Sequence, residues 1–208
     1  MFDTMKPLLA ALCIAALPAL AEPQVQESAF WLAEIKAGHM PPAAERVPDV
    51  PLVVDLAAKG RTLGIQGGTL NTMVTRSKDI RQMVVYGYAR LAGYGEDYRL
   101  RPDILLDYEN ENNRRFTLKL RPGHRWSNGD PFTSDDFRYW WEDVAKNELL
   151  SPSGPPDFLR AGGELPRVSF LDDTTVVYEW DHPNPGFLHT LALARPPFIY
   201  RPAKFLKK

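Results

Sequence analysis

The sequence predicts a mixed α/β fold of the α+β kind, and three observations carry that prediction. Two segments alternate apolar and polar residues with a period of two. In "RFTLKLRP", Phe116, Leu118 and Leu120 face one way against Thr117, Lys119 and Arg121; in "TTVVYEW", Val176, Tyr178 and Trp180 do the same. A third segment places Phe137, Trp140, Trp141 and Val144 at i, i+3, i+4 and i+7, the stripe of an amphipathic helix. These elements and their neighbours follow one another in no strict βαβ order, which points away from a purely parallel sheet.

Taken from the N-terminus, residues 1–21 read as an export leader. Lys6 precedes an apolar run over 8–17, Pro18 breaks it, and Ala19-Leu20-Ala21 supplies the small-x-small site with cleavage expected after Ala21. The run is shorter than the roughly 20 residues that span a bilayer. Cys13, the only cysteine, lies inside it and follows Leu12, where a lipid-attachment site wants a small residue. The processed chain would carry no cysteine and depend on its core alone, which suits a bacterial periplasm better than a small disulfide-stapled scaffold.

Residues 22–60 form an N-terminal extension. Over 28–38 a short helix is expected, with Phe30, Trp31, Ala33 and Ile35 as its apolar side, Ser28 as its cap and Gly38 as its stop. The following stretch, through Pro41-Pro42 and Pro51, is expected to run extended and pack along a globular surface by its apolar residues near 52–56. The globular part then occupies 61–208. Two glycines before residues 69–75 predict a strand there. Ile80, Met83, Val84, Tyr88 and Leu91 predict a helix, although Val84-Val85 and Gly87 weaken it. "PGFLHTLALA" predicts a short helix with Phe187, Leu188 and Leu191 inward.

The corner "RPGHRWSNGDPFTSDDF" is the most densely signalled stretch. Pro122-Gly123 ends the strand, Asn128-Gly129 is a turn signal, and Pro131 sets an extended path. Thr133 and Asp136 have the spacing of a capping box, and Asp135 and Asp136 sit at the positive end of the helix dipole. Adjacent helix positions diverge by about 100°, so the paired aspartates read as a helix start and not as an acid/base couple.

Composition narrows the function classes. The 208 residues carry a net charge of −1, which gives no electrostatic footprint for nucleic acid. Aromatics make up 11% and hydrophobics 44%, enough to bury a core, while 19 prolines place much of the chain in fixed loops. His39, His124, His182 and His189 show no metal-ligand spacing, and no G-x-S-x-G elbow is present, so no catalytic residue, metal or cofactor is assigned.

Four stretches in order carry a resemblance: "GGTLNTMV", "YGYARLAGYGEDYRLRPDILLDYE", "LKLRPGHRWSNGDPFTSDDF" and "VSFLDDTTVVYEWDHPNPGFL". Together they resemble the extracytoplasmic solute-binding proteins of family 5, the peptide- and oligopeptide-binding receptors of ABC importers. The resemblance covers residues from about Gly67 onward. "ENNRRF" departs from it, standing where the family has an Asp-Gly hairpin turn. It implies a periplasmic binding protein type II-like fold, of which this chain would be the first-lobe portion, ending in mid-pattern at "RPAKFLKK".

It also implies a non-enzymatic role: a monomer that captures a peptide or similar oligomeric solute and presents it to an inner-membrane ABC permease. By the same resemblance Thr75, Arg76 and Ser77 correspond to a cleft-lining loop, with Tyr86 and Tyr88 as further ligand contacts. For Arg76 the competing reading is a solvated surface arginine, and for the tyrosines core packing. The rival functions are a secreted carbohydrate-active enzyme, which would need two carboxylates across a cleft, and a sensory binding subunit on the same fold.

Overall fold

The computed structural model describes residues 25–65, 67–83 and 89–207. The leader with Cys13, and Tyr86 and Tyr88, lie outside the described residues. The fold is mixed α and β, as the residue pattern predicts. Its centre is a four-stranded antiparallel sheet built from β3 (Leu105–Glu111), β4 (Arg115–Leu120), β5 (Arg167–Asp172) and β6 (Thr175–Glu179), in the spatial order β3-β4-β6-β5. A separate hairpin pairs β1 (Ala92–Tyr94) with β2 (Leu100–Pro102).

The alternating segments become the two inner strands. Phe116 pairs with Tyr178 and Leu118 with Val176, so one apolar face forms across β4 and β6. Thr117 and Val177, also cross-strand partners, are buried on the other face, which alternation alone would have left to solvent. The β3–β4 connection uses Asn112 and Asn113, both at positive φ, and Arg114 N–H donates to the Glu111 carbonyl at 2.9 Å. Asparagine tolerates this left-handed conformation, so the pair takes the place of a glycine turn.

Helix α3 (Ser134–Tyr139) follows the corner and helix α4 (Phe187–Leu191) follows β6. Phe187 sits among Phe116, Tyr178 and Trp180, with ring centroids 5.1, 5.0 and 5.0 Å away. The helix predicted through Val144 continues from α3 as a π-helix over Trp140–Ala145. Trp140 and Trp141, on the apolar stripe of this stretch, are both buried.

Tyr178 is fully buried, and among the described residues its hydroxyl has no hydrogen-bond partner. Burial holds its phenol protonated far above the usual tyrosine range. An unpaired buried hydroxyl carries its desolvation cost uncompensated. Tyr178→Phe is therefore expected to raise stability by about 1 kcal/mol, read as a higher urea midpoint at unchanged slope. A fall in the midpoint would show that the hydroxyl is satisfied.

Four local expectations change. The extension does form a helix, α1 (Leu32–Lys36), after a 3-10 turn at Ala29–Trp31, and Gly38 ends it at φ 74°. Ser28, however, makes no side-chain cap, and none of the helix is buried, so little energy depends on it. The segment expected to be extended contains one helical turn, α2 (Ala43–Arg46). Glu27 caps that turn from a distance: its carboxylate accepts from Ala43 N–H at 2.6 Å and from Arg46 Nη2 at 2.7 Å.

Residues 69–75 are not a strand. They are exposed and pair with no strand among the described residues, and a strand exists only through its ladder. Of the helix predicted from Ile80 to Leu91, the described part is a 3-10 turn, Ser77–Met83, and Ala92–Tyr94 beyond it is strand.

Candidate functional site

The corner is a joint between distant parts of the chain. Thr133 and Asp136 close the capping box, and Asp136 Oδ2 accepts from Thr133 N–H at 3.0 Å. The same oxygen accepts from the Trp126 indole N–H at 2.9 Å, while Oδ1 accepts from Ala203 N–H at 2.9 Å. Asp136 thus ties the turn, the start of α3 and the last helix, α5 (Ala203–Leu206), into one unit from a buried position. Tyr200 is drawn into the aromatic cluster beside it, 5.0 Å from Phe132 and 5.2 Å from Phe137.

The extension docks on the other side of the corner. Asp49 N–H donates to the Pro122 carbonyl at 3.0 Å, and Arg121 Nη1 donates to the Val50 carbonyl at 2.9 Å. Gly123, at φ +73°, lies so close to Asp49 that an added Cβ would come within 2.2 Å of its carboxylate, so this contact requires glycine.

Above this junction opens a cleft of about 800 Å³. Leu52 and Val54 of the extension form one wall, the β1–β2 hairpin with Tyr94 and Arg101 another, and Asp103 and Arg121 the floor. Arg90 closes the side, its Nε donating to the Leu193 carbonyl at 2.9 Å and its main-chain N–H to Asp103 Oδ2 at 2.9 Å. Tyr94 Oη lies 2.7 Å from His189 Nδ1, which fastens the hairpin to α4.

The predicted loop lies outside this cleft's lining. Thr75, Arg76 and Ser77 are exposed, and Arg76 pairs with Asp79 at 3.5 Å while its main-chain N–H donates to Asp79 Oδ2 at 3.1 Å. Arg121 was missed as a site residue because alternation puts it on the polar face of β4, yet it is only 7% exposed. Its neighbour Gly123, a glycine fixed directly after a strand, was the available signal that something packs there.

His124 lies half-buried beside this floor, edge-on to Phe132 at 5.5 Å. Burial, and then the positive charge of Arg121, push its imidazole below the usual value, against a weaker pull from Asp103. The unfolded chain therefore takes up a proton first, near pH 6.5, and stability falls as the pH drops from there toward the lower folded value. His124→Asn is expected to flatten this part of the profile, seen as urea midpoints that differ from the parent protein's less at pH 5 than at pH 7.5. Identical pH slopes for the two proteins would contradict it.

Among the described residues no three His, Cys, Asp or Glu side chains gather as a metal site, and no helix is long and apolar enough to cross a membrane. Comparisons with known proteins give a consistent picture. A sequence profile of the bacterial extracellular solute-binding proteins, family 5 (middle region), matches residues 99–207, just over half of the chain. The periplasmic alpha-galactoside-binding protein of Rhizobium meliloti (strain 1021) is 26% identical over 203 residues, covering 85% of this chain and 28% of its own length.

In solved structures, an oligopeptide-binding protein OppA superposes with a TM-score of 0.73 at 30% identity, covering 88% of this chain and 28% of that one. The periplasmic binding protein MelB from Agrobacterium fabrum C58, in complex with stachyose, superposes with a TM-score of 0.61 at 26% identity, over 92% of this chain and 31% of that one. The chain thus spans under a third of the length of each, and within that span it shares the fold of periplasmic binding proteins. With the corner, the four-stranded sheet and the profile match falling on the same residues, the chain belongs to the bacterial extracellular solute-binding proteins of family 5.

Proposed function

We propose that this chain serves in the periplasmic receptor of an ABC importer, capturing a small oligomeric solute, a peptide or an α-galactoside, for an inner-membrane permease. The observation that carries it is the profile match over residues 99–207, supported by the superposition on an oligopeptide-binding protein. The two solute classes come from the names of the relatives, one a peptide receptor and others a galactoside- and a stachyose-binding protein. Export by the leader at 1–21, the division into an extension over 22–60 and a globular part over 61–208, and a monomeric state belong to the same reading. In it the loop with Thr75, Arg76 and Ser77, together with Tyr86 and Tyr88, meets the solute, and the protein contributes binding and no chemistry.

The test is uptake. Disruption of the gene in its own host should abolish accumulation of at least one labelled peptide or α-galactoside, and restoring the gene should recover it. Unchanged uptake of every peptide and α-galactoside tried would overturn the reading.

A further inference from the structure

Arg121 presents an imbalance that the fold leaves open. The residue is buried, 7% exposed as a whole, and among the described residues its guanidinium forms hydrogen bonds only to carbonyl oxygens: Nε to Asp103 at 2.8 Å and Nη1 to Val50 at 2.9 Å. Among the described residues it has no carboxylate within ion-pair distance, and its other amino group, Nη2, makes no further contact. A buried cation held only by neutral dipoles has its charge less fully compensated than one that meets an anion in good geometry.

The surroundings raise the demand for negative charge. Arg121 forms the floor of the cleft of about 800 Å³, which Arg90, Arg101 and Lys59 also line. Asp103 is the single carboxylate among the lining residues, and its Oδ2 is already held by Arg90 N–H. The rim cations have partners of their own, Arg101 with Asp97 at 2.9 Å and Lys59 with Glu96 at 3.7 Å, both outside the cleft lining. A guanidinium presents its N–H groups in a planar fork that suits a carboxylate. Leu52, Val54 and Pro102 add apolar wall for a carbon skeleton.

We propose that this cleft is a binding site for a small organic carboxylate, anchored on Arg121 Nη2 and enclosed by the N-terminal extension. The site is distinct from the loop at 75–77 and stands whether or not the receptor delivers peptides or galactosides to a permease. A free organic acid and the terminal carboxylate of a peptide share the chemistry, and the test separates them.

The chain would be titrated with succinate, with neutral succinamide, with trialanine and with trialanine amide, following the Arg121 Nε–H resonance by NMR. Succinate is expected to shift that signal saturably at millimolar concentration or below, and succinamide to leave it unmoved. His124, which feels the Arg121 charge, should show a higher pKa in the presence of succinate. Response to trialanine but not to its amide, with none to succinate, would replace the free acid by a peptide terminus and overturn the assignment as stated. No saturable response to any carboxylate would overturn the site altogether.

Arg121→Met is expected to weaken succinate binding at least about tenfold, the loss of one charge-assisted contact. Undiminished binding in that variant would remove Arg121 from the site. Should the variant fail to fold, Lys59→Met, an exposed rim change, provides a second measure and is expected to weaken binding by about threefold through lost long-range attraction. The uptake assay uses whole cells and other solutes, so either reading can fail alone.

Discussion

Replacing Asp136 by alanine is expected to destabilise the protein by about 4 kcal/mol, while Asp135→Ala next to it costs about 0.5 kcal/mol or less. The two aspartates are neighbours in sequence and opposites in setting. Asp135 is exposed and makes a surface pair with Arg138 at 3.2 Å. Asp136 is buried and accepts from Thr133 N–H, the Trp126 indole and Ala203 N–H. Truncation leaves all three donors unpaired, each at a cost of about 1–3 kcal/mol before relaxation. The measurement is urea unfolding of both variants, with tryptophan fluorescence reporting the Trp126 environment. Asp136→Asn should fall between them, because one acceptor oxygen survives while the new amide faces N–H donors. Equal losses for Asp135→Ala and Asp136→Ala would show that the joint is not held through this carboxylate.

Phe187→Ala is expected to cost about 3–5 kcal/mol, the range for emptying an aromatic site in a packed core. Phe187 is fully buried and touches Phe116, Tyr178 and Trp180, the inward residues of both inner strands and the residue that follows them. Removing it opens a void where the sheet meets α4, and the sheet cannot collapse into it without breaking the β4–β6 register. Phe30→Ala is the control: Phe30 is 77% exposed, and its loss should change stability by less than about 0.5 kcal/mol. Thermal or urea unfolding of the pair decides the matter, and a small effect for Phe187→Ala would mean that α4 is not held to the sheet through this ring. A domain of this size has roughly 5–15 kcal/mol in hand, so Asp136→Ala or Phe187→Ala could each leave a fraction of the chains unfolded.

The contrast between these residues follows how much of the fold was legible. The inner strands were readable because each buries a face defined by its own period-two pattern, and Phe116, Leu118, Val176 and Tyr178 all lie where alternation puts them. The capping box was readable because its partners are three residues apart. Residues 69–75 were not, since strand identity depends on a hydrogen-bonded partner elsewhere in the chain. For the proposed site the position is less favourable: Thr75, Arg76 and Ser77 are a solvated loop here, and Arg121, Asp103 and Arg90 meet only because the extension, the hairpin and α4 converge.

By itself the sequence determined the class of fold, the inner strands, the core side of α3 and α4, and the turn-and-cap chemistry of the corner. Each rests on interactions within a few residues or on a periodicity that every strand or helix repeats. Only the tertiary structure decided that Asp136 would bind Ala203 and that Arg121 would be buried under residues 49–54. Those outcomes depend on which distant backbone groups arrive beside a given side chain. A buried carboxylate or guanidinium takes its partners from whatever the packing brings within hydrogen-bonding range, and no local pattern encodes that arrival.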